Sequence, residues 1–143
     1  MKATKPLLKE REIAKTCSDF LELDSWRPIK MEPISRREWG KGTGEAGQPD
    51  YLYIRYRYRS VAVMGHRFGC PCCHGPYTRM ADVDVLWVEW KSPTGKPKPH
   101  QLAWHRAERA RGALTLIAGV DFPATFEGFR DFYQKSGLAR RVK

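Results

Sequence analysis

Glu89 and Lys91 stand two residues apart near the end of Val85-Leu86-Trp87-Val88-Glu89-Trp90-Lys91, a stretch of apolar, aromatic and β-branched residues. That composition, with no helical period, reads as a strand. Side chains two apart on a strand share a face, so the carboxylate and the ammonium point the same way, and Leu86, Val88 and Trp90 point the other way into a core. A carboxylate beside a lysine at a strand end can hold a divalent metal and a polarised water. The same two residues also make an ordinary surface ion pair, which is common and weak. What the rest of the chain brings to them decides between the two.

A second acid opens the other clear strand. Gln48-Pro49-Asp50 leads into Tyr51-Leu52-Tyr53-Ile54-Arg55-Tyr56-Arg57-Tyr58-Arg59, whose strict alternation predicts an extended segment. Asp50, Leu52, Ile54, Tyr56 and Tyr58 share one face; Tyr51, Tyr53, Arg55, Arg57 and Arg59 share the other. Arginines interleaved with tyrosines suit a phosphate backbone, with rings for stacking, which makes Arg55 and Arg57 candidate nucleic-acid contacts. The alternative is an exposed sheet face whose charges discourage edge pairing.

A third acid lies on a helix. From about Leu8 to Leu23, Ile13, Cys17, Phe20 and Leu21 recur at helical spacing, with Lys9, Glu10, Arg11, Lys15 and Asp19 between them. The helix should stop before Trp26-Arg27-Pro28. Glu10, three residues before Ile13, can reach a metal site or act as a first-turn dipole partner.

These elements are joined by punctuated segments. Residues 27–49 hold a short edge strand within Pro28 to Ile34, then a glycine-rich loop, Gly40 to Gly47, whose spacing is not that of a phosphate-cradling P-loop. Within residues 60–82, Cys70 and Cys73 have zinc-knuckle spacing, with Cys72, His66 and His74 nearby. No second knuckle accompanies them, so the preferred reading is a loop of reduced cysteine, with zinc as the alternative.

After the Glu89 strand, Ser92 to Pro99 is a turn carrying Lys96 and Lys98. His100 to Arg111 then reads as a helix, with Pro99 suited to its first turn and Gly112 to its stop. Gln101, His105 and Glu108 fall along one face of it. Ala113 to Val120 is a near-continuous apolar strand, and strand–helix–strand order implies a parallel pair. Phe126, Phe129 and Tyr133 mark one stripe of a short closing helix that ends near Gly137, followed by basic Arg140, Arg141 and Lys143.

Composition bounds the rest. The 143 residues suit a single domain, 1–143. With 26 Lys and Arg against 16 Asp and Glu, the net charge is +10, which favours an anionic partner, nucleic acid before membrane. No apolar run approaches a membrane span and the N-terminus lacks a signal-peptide core, so the expectation is a soluble intracellular, cytoplasmic protein.

Taken together, Gly47-Gln48-Pro49-Asp50, then Glu89-Trp90-Lys91, then Gln101 on the following helix resemble the PD-(D/E)xK nuclease signature, and within it the virus-type replication-repair nuclease domain, VRR-NUC. Glu10 is similar to that family's N-terminal glutamate, with Glu12 as its rival. The likeness covers roughly residues 8–121. Two departures mark this chain: the Asp50–Glu89 span is longer than the family's tight hairpin and holds the cysteines, and Asp82 and Asp84 compete with Asp50.

The resemblance implies an α/β fold with a restriction-endonuclease-like core, a central mixed β-sheet flanked by helices in αβββαβ order, and a cysteine-containing insertion at about 60–82. It implies a metal-dependent DNA endonuclease, selective for flap or junction DNA, in replication or repair, working as a homodimer. In that reading Asp50, Glu89 and Glu10 hold Mg2+ or Mn2+. Lys91 orients the water or stabilises developing charge, and Gln101 holds Lys91 or the water in place. Arg55, Arg57, Lys96 and Lys98 draw in the backbone. The alternatives are a non-catalytic basic nucleic-acid-binding protein and a zinc-stapled interaction module.

Overall fold

The computed structural model describes residues 8–31, 47–60 and 79–139. The glycine-rich loop before Gly47, the cysteine cluster with His74, and the basic end from Arg140 lie outside the described residues. The elements follow one another as α1 (Glu10–Leu23), β1 (Arg27–Lys30), β2 (Tyr51–Ser60), β3 (Arg79–Glu89), α2 (Pro99–Ala110), β4 (Leu114–Ile117) and α3 (Phe126–Lys135). The strands form one mixed sheet in the order β1-β2-β3-β4. β1–β2 and β2–β3 are antiparallel; β3–β4 is parallel, as the helix between them requires. The chain is thus an α/β fold, with three helices and a four-stranded mixed sheet among the described residues.

The two faces of the sheet are covered differently, and β2 shows how. Its odd-numbered residues face α1 and α3: the Tyr53 hydroxyl lies 2.7 Å from Ser18 Oγ on α1 and accepts the Trp90 indole N–H at 3.0 Å. Ile13, Cys17, Leu21, Tyr53, Leu86, Val88, Trp90, Phe129 and Tyr133 make up most of this core. It is held by aromatic edges, with Trp90 and Phe129 ring centres 5.0 Å apart and Phe20 edge-on to Phe126 and Tyr133. Burial pushes the Cys17 thiol up to about 12, so it stays a packing thiol.

α2 covers the other face, on the β3–β4 side. Trp104 meets Trp87 edge-on at 5.4 Å, and Arg109 donates to the Thr115 carbonyl and hydroxyl. The Trp87–Glu89 side of β3 is therefore interior as well, and Glu89 is buried like its neighbours. The strand also ends sooner than its composition suggests: Trp90 and Lys91 lie beyond β3. β4 covers only the middle of its apolar run, with Gly112 before it and Gly119 after it, both at positive φ. Among the described residues no helix is long and apolar enough to cross a membrane.

Candidate active site

The site forms where β2 begins and β3 ends. Tyr51 pairs with Val88, the last pair of the β2–β3 ladder, so Asp50, in the bend just before β2, and Glu89, the last residue of β3, come to the same end of the sheet. The negative charge of Asp50 reaches the Glu89 carboxyl from there. The two acids, 39 positions apart in sequence, are thus neighbours in the fold. Asp50 is exposed; Glu89 is 2% exposed.

Three contacts hold the Asp50 turn in place. Gly47 has φ +90°, and a Cβ there would sit 2.2 Å from the His100 carbonyl oxygen. Only glycine lets this turn press onto the start of α2. Pro49 is buried, and the Asp50 carbonyl accepts the Met31 N–H at 2.7 Å. The Gly-x-Pro-Asp stretch thus packs against the helix that carries Gln101.

One oxygen of Glu89 is heavily used. Oε1 accepts Lys91 Nζ at 2.6 Å and Gln101 Nε2 at 2.6 Å. The Gln101 carbonyl oxygen in turn accepts the Lys98 N–H at 2.8 Å, which fixes the amide so that its NH2 faces Glu89. The other oxygen, Oε2, is buried with no hydrogen-bond partner among the described residues. An orphaned buried carboxylate oxygen is costly and calls for an explanation.

The charges agree with this geometry. Burial pushes the Glu89 carboxyl above its ordinary range; the hydrogen bond and charge of Lys91 pull against it, and the negative charges of Asp50 and Glu10 add to the rise. Glu10, the exposed first residue of α1, is close enough for its charge to act on Glu89. Glu12 has another task, since its Oε2 accepts the Lys9 N–H at 2.8 Å and caps the helix. That separates the two glutamates.

The donors are carboxylate oxygens, the set that Mg2+ and Mn2+ favour, and Oε2 is free to serve. Among the described residues no three His, Cys, Asp or Glu side chains already form a metal cage. Mg2+ needs none: it keeps several waters and takes one or two carboxylates. The residues present fit such an ion, with Glu89 fixed and the exposed Asp50 and Glu10 free to turn inward.

The remaining expectations divide. Lys96 and Lys98 are exposed on the turn before α2, at the rim of the site. Arg57 is exposed and bonds Asp84 at 2.7 Å. Arg55 is a correction. It is 6% exposed, bonds Asp24 at 2.8 Å and Asp84 at 3.0 Å, and lies 4.3 Å from the Trp26 ring centre. Its face of β2 is the core face there, so it is an interior ion pair and no phosphate contact. Asp84 is committed to the arginines and faces the opposite side from Glu89, five residues or roughly 17 Å along the strand.

Sequence reasoning passed over Lys9, immediately before Glu10, although a lysine beside a candidate acid at a helix start was visible. It set His105 on the Gln101 face, and that residue is buried with neither ring nitrogen bonded among the described residues. Family models, curated proteins and solved structures give no match to this chain.

Proposed function

We propose that this chain is a Mg2+- or Mn2+-dependent nuclease of PD-(D/E)xK type, similar to VRR-NUC domains, that hydrolyses DNA phosphodiester bonds. The observation that carries the reading is the buried Glu89 carboxylate: at the end of the sheet where Asp50 enters β2, braced on one oxygen by Lys91 and Gln101, and unpaired on the other among the described residues. The element order α-β-β-β-α-β, with these residues at the end of the middle strands, supports a restriction-endonuclease-like core. A divalent cation held by Glu89, Asp50 and Glu10 would polarise the phosphate and make an attacking water more acidic.

The chain's own residues do the rest. Gln101 and the Gly47 turn hold Glu89 and Asp50 in place. Lys91, 12% exposed beside Glu89, keeps a proton donor at the place where negative charge develops on phosphorus oxygens. Exposed Lys96 and Lys98, and a net charge of +10, draw in the polyanion. The resemblance adds action on flap or junction DNA during replication or repair inside the cell, and a homodimer.

The test is incubation with labelled duplex, flap and four-way-junction DNA in Mg2+, Mn2+ or EDTA. Wild type should cut only with metal, and Lys91→Ala should cut about 100-fold more slowly at unchanged helix content. Cutting that persists in EDTA, or is untouched in Lys91→Ala, overturns the proposal.

A further inference from the structure

Tyr53 is fully buried on β2, shortly after Asp50. Phenylalanine would fill the same space with no hydroxyl to satisfy. A hydroxyl taken out of water has to find partners inside the protein, or the fold is weakened. This one finds two. It accepts the Trp90 indole N–H at 3.0 Å, and Ser18 Oγ lies 2.7 Å away. Burial holds the phenol above its ordinary range, so its proton stays in place for Ser18.

The partners matter for where they sit in the chain. Ser18 is on α1, the helix that Glu10 opens, and roughly 12 Å of rigid helix joins the two. Trp90 stands between Glu89 and Lys91, just past the last residue of β3. The Tyr53 ring also stacks on that of Tyr51, the neighbour of Asp50, with centres 6.2 Å apart and planes 15° from parallel. One side chain therefore touches all three segments that carry the acids of the site.

Tyr133 has the same chemistry in a different place. Its hydroxyl is buried too, accepts the Trp26 indole N–H at 2.7 Å and bonds Asp24. Those partners lie past the other end of α1, and neither adjoins a site acid in the chain.

Resting on the nuclease reading, we infer that Tyr53 is a positioning residue: acting through Ser18 and Trp90, its hydroxyl keeps Glu10, Asp50 and Glu89 within reach of one divalent cation, with Lys91 beside it. It does so from the opposite face of the sheet to Glu89. The Glu89 side chain is itself braced by Lys91 and Gln101. Asp50 and Glu10 are exposed, so the backbone beneath them decides where their carboxylates can reach.

The affinity for a metal alone tests this. Mn2+ is titrated into the full chain without DNA, and the free ion is followed by its electron paramagnetic resonance signal. Tyr53→Phe and Tyr133→Phe each lose one buried hydroxyl, so both should melt lower than wild type. Only Tyr53→Phe should bind Mn2+ more weakly, by about tenfold, the low end for groups that orient metal ligands. Ser18→Ala, which cuts the α1 arm alone, should show part of that shift. The Mn2+ dependence of DNA cutting should move by the same factor, with the DNA concentration for half-maximal cutting within about twofold of wild type. Equal Mn2+ affinity in Tyr53→Phe and wild type overturns the inference, as does an equal loss in Tyr133→Phe. A wild type that binds Mn2+ yet cuts no DNA sinks the nuclease reading and leaves the Tyr53 comparison standing. A wild type that takes up no Mn2+ sinks both.

Discussion

The β2–β3 pair carries two buried ionic clusters, on opposite faces of the sheet, and they are finished differently. Around Arg55 everything is paired: Nε and Nη2 donate to Asp84, and Nη1 to Asp24. Tyr133 also bonds Asp24 and accepts the Trp26 indole N–H at 2.7 Å. Burial, with the Asp24 contact, pushes that phenol up to about 12, so it remains a proton donor. Around Glu89 one oxygen accepts two hydrogen bonds and the other has none among the described residues. The first cluster joins α1, β2, β3 and α3 and needs no further partner. The second is incomplete without something that brings positive charge. Burial alone therefore does not mark function; an unmet electrostatic demand beside further acids does.

Breaking the closed cluster should have the largest effect, and only on stability. Arg55→Met removes the buried cation that Asp24 and Asp84 share, leaving Asp84 with exposed Arg57 and Asp24 with the Tyr133 hydroxyl. Removing one partner of such a set costs about 3–5 kcal/mol. Urea unfolding should show that loss, while the folded fraction keeps its metal-dependent cutting. A loss under 1 kcal/mol would mean the cluster does not tie the elements together.

Treating the open cluster the same way should give the opposite pattern. Glu89→Gln keeps an oxygen for Lys91 and Gln101 but removes the buried charge. Because the folded carboxyl titrates above its unfolded value, ionisation weakens folding as pH rises past the ordinary carboxylate range. The variant should therefore melt higher than wild type at pH 8, with the gain vanishing in acid. Its cutting should fall about 10²–10³-fold. A variant that is less stable at pH 8 would show that Glu89 is structural, like Asp84.

How much of this could be read from residues alone depends on how local each signal is. Glu89 and Lys91 were legible because their relation spans two positions at the end of one strand and just past it, and the aromatic stripe of α3 was legible from helical spacing. Asp50 was marked by Pro-Asp at the start of an alternating run, but its place at the same end of the sheet as Glu89 is a matter of register with a strand beginning 29 residues later. Arg55 was misread for a physical reason. Alternation says which residues share a face, not which face is inward. The deciding partners, Trp26, Asp84 and Tyr133, come from β1's entry, β3 and α3. The capping duty of Glu12 was likewise hidden, since an acid in a first turn looks the same whether it caps or reaches for a metal.

His105 sharpens the comparison, because it too is buried and without a hydrogen-bond partner among the described residues, yet the one acid that acts on it, Asp121, is already paired with Arg109. It is 1% exposed on α2, and burial, with the charge of Arg109, pushes it down to about 4. Asp121 pulls the other way but is itself bonded to Arg109 and to the Ile117 N–H. A neutral imidazole tolerates such a place far better than a carboxylate does. Between pH 6.5 and 4 the unfolded chain takes up a proton that the folded chain refuses, so stability falls as pH falls through that window. His105→Leu should remove this slope, a difference of about 3 kcal/mol at most by pH 4, measured by urea unfolding at pH 7, 5.5 and 4. Cutting at pH 8 should stay within about twofold of wild type, where Glu89→Gln loses at least about 100-fold. If His105→Leu instead abolished cutting while leaving stability intact, an unpaired buried group would be enough to mark the site, and the distinction drawn between Glu89 and the rest of the interior would fail.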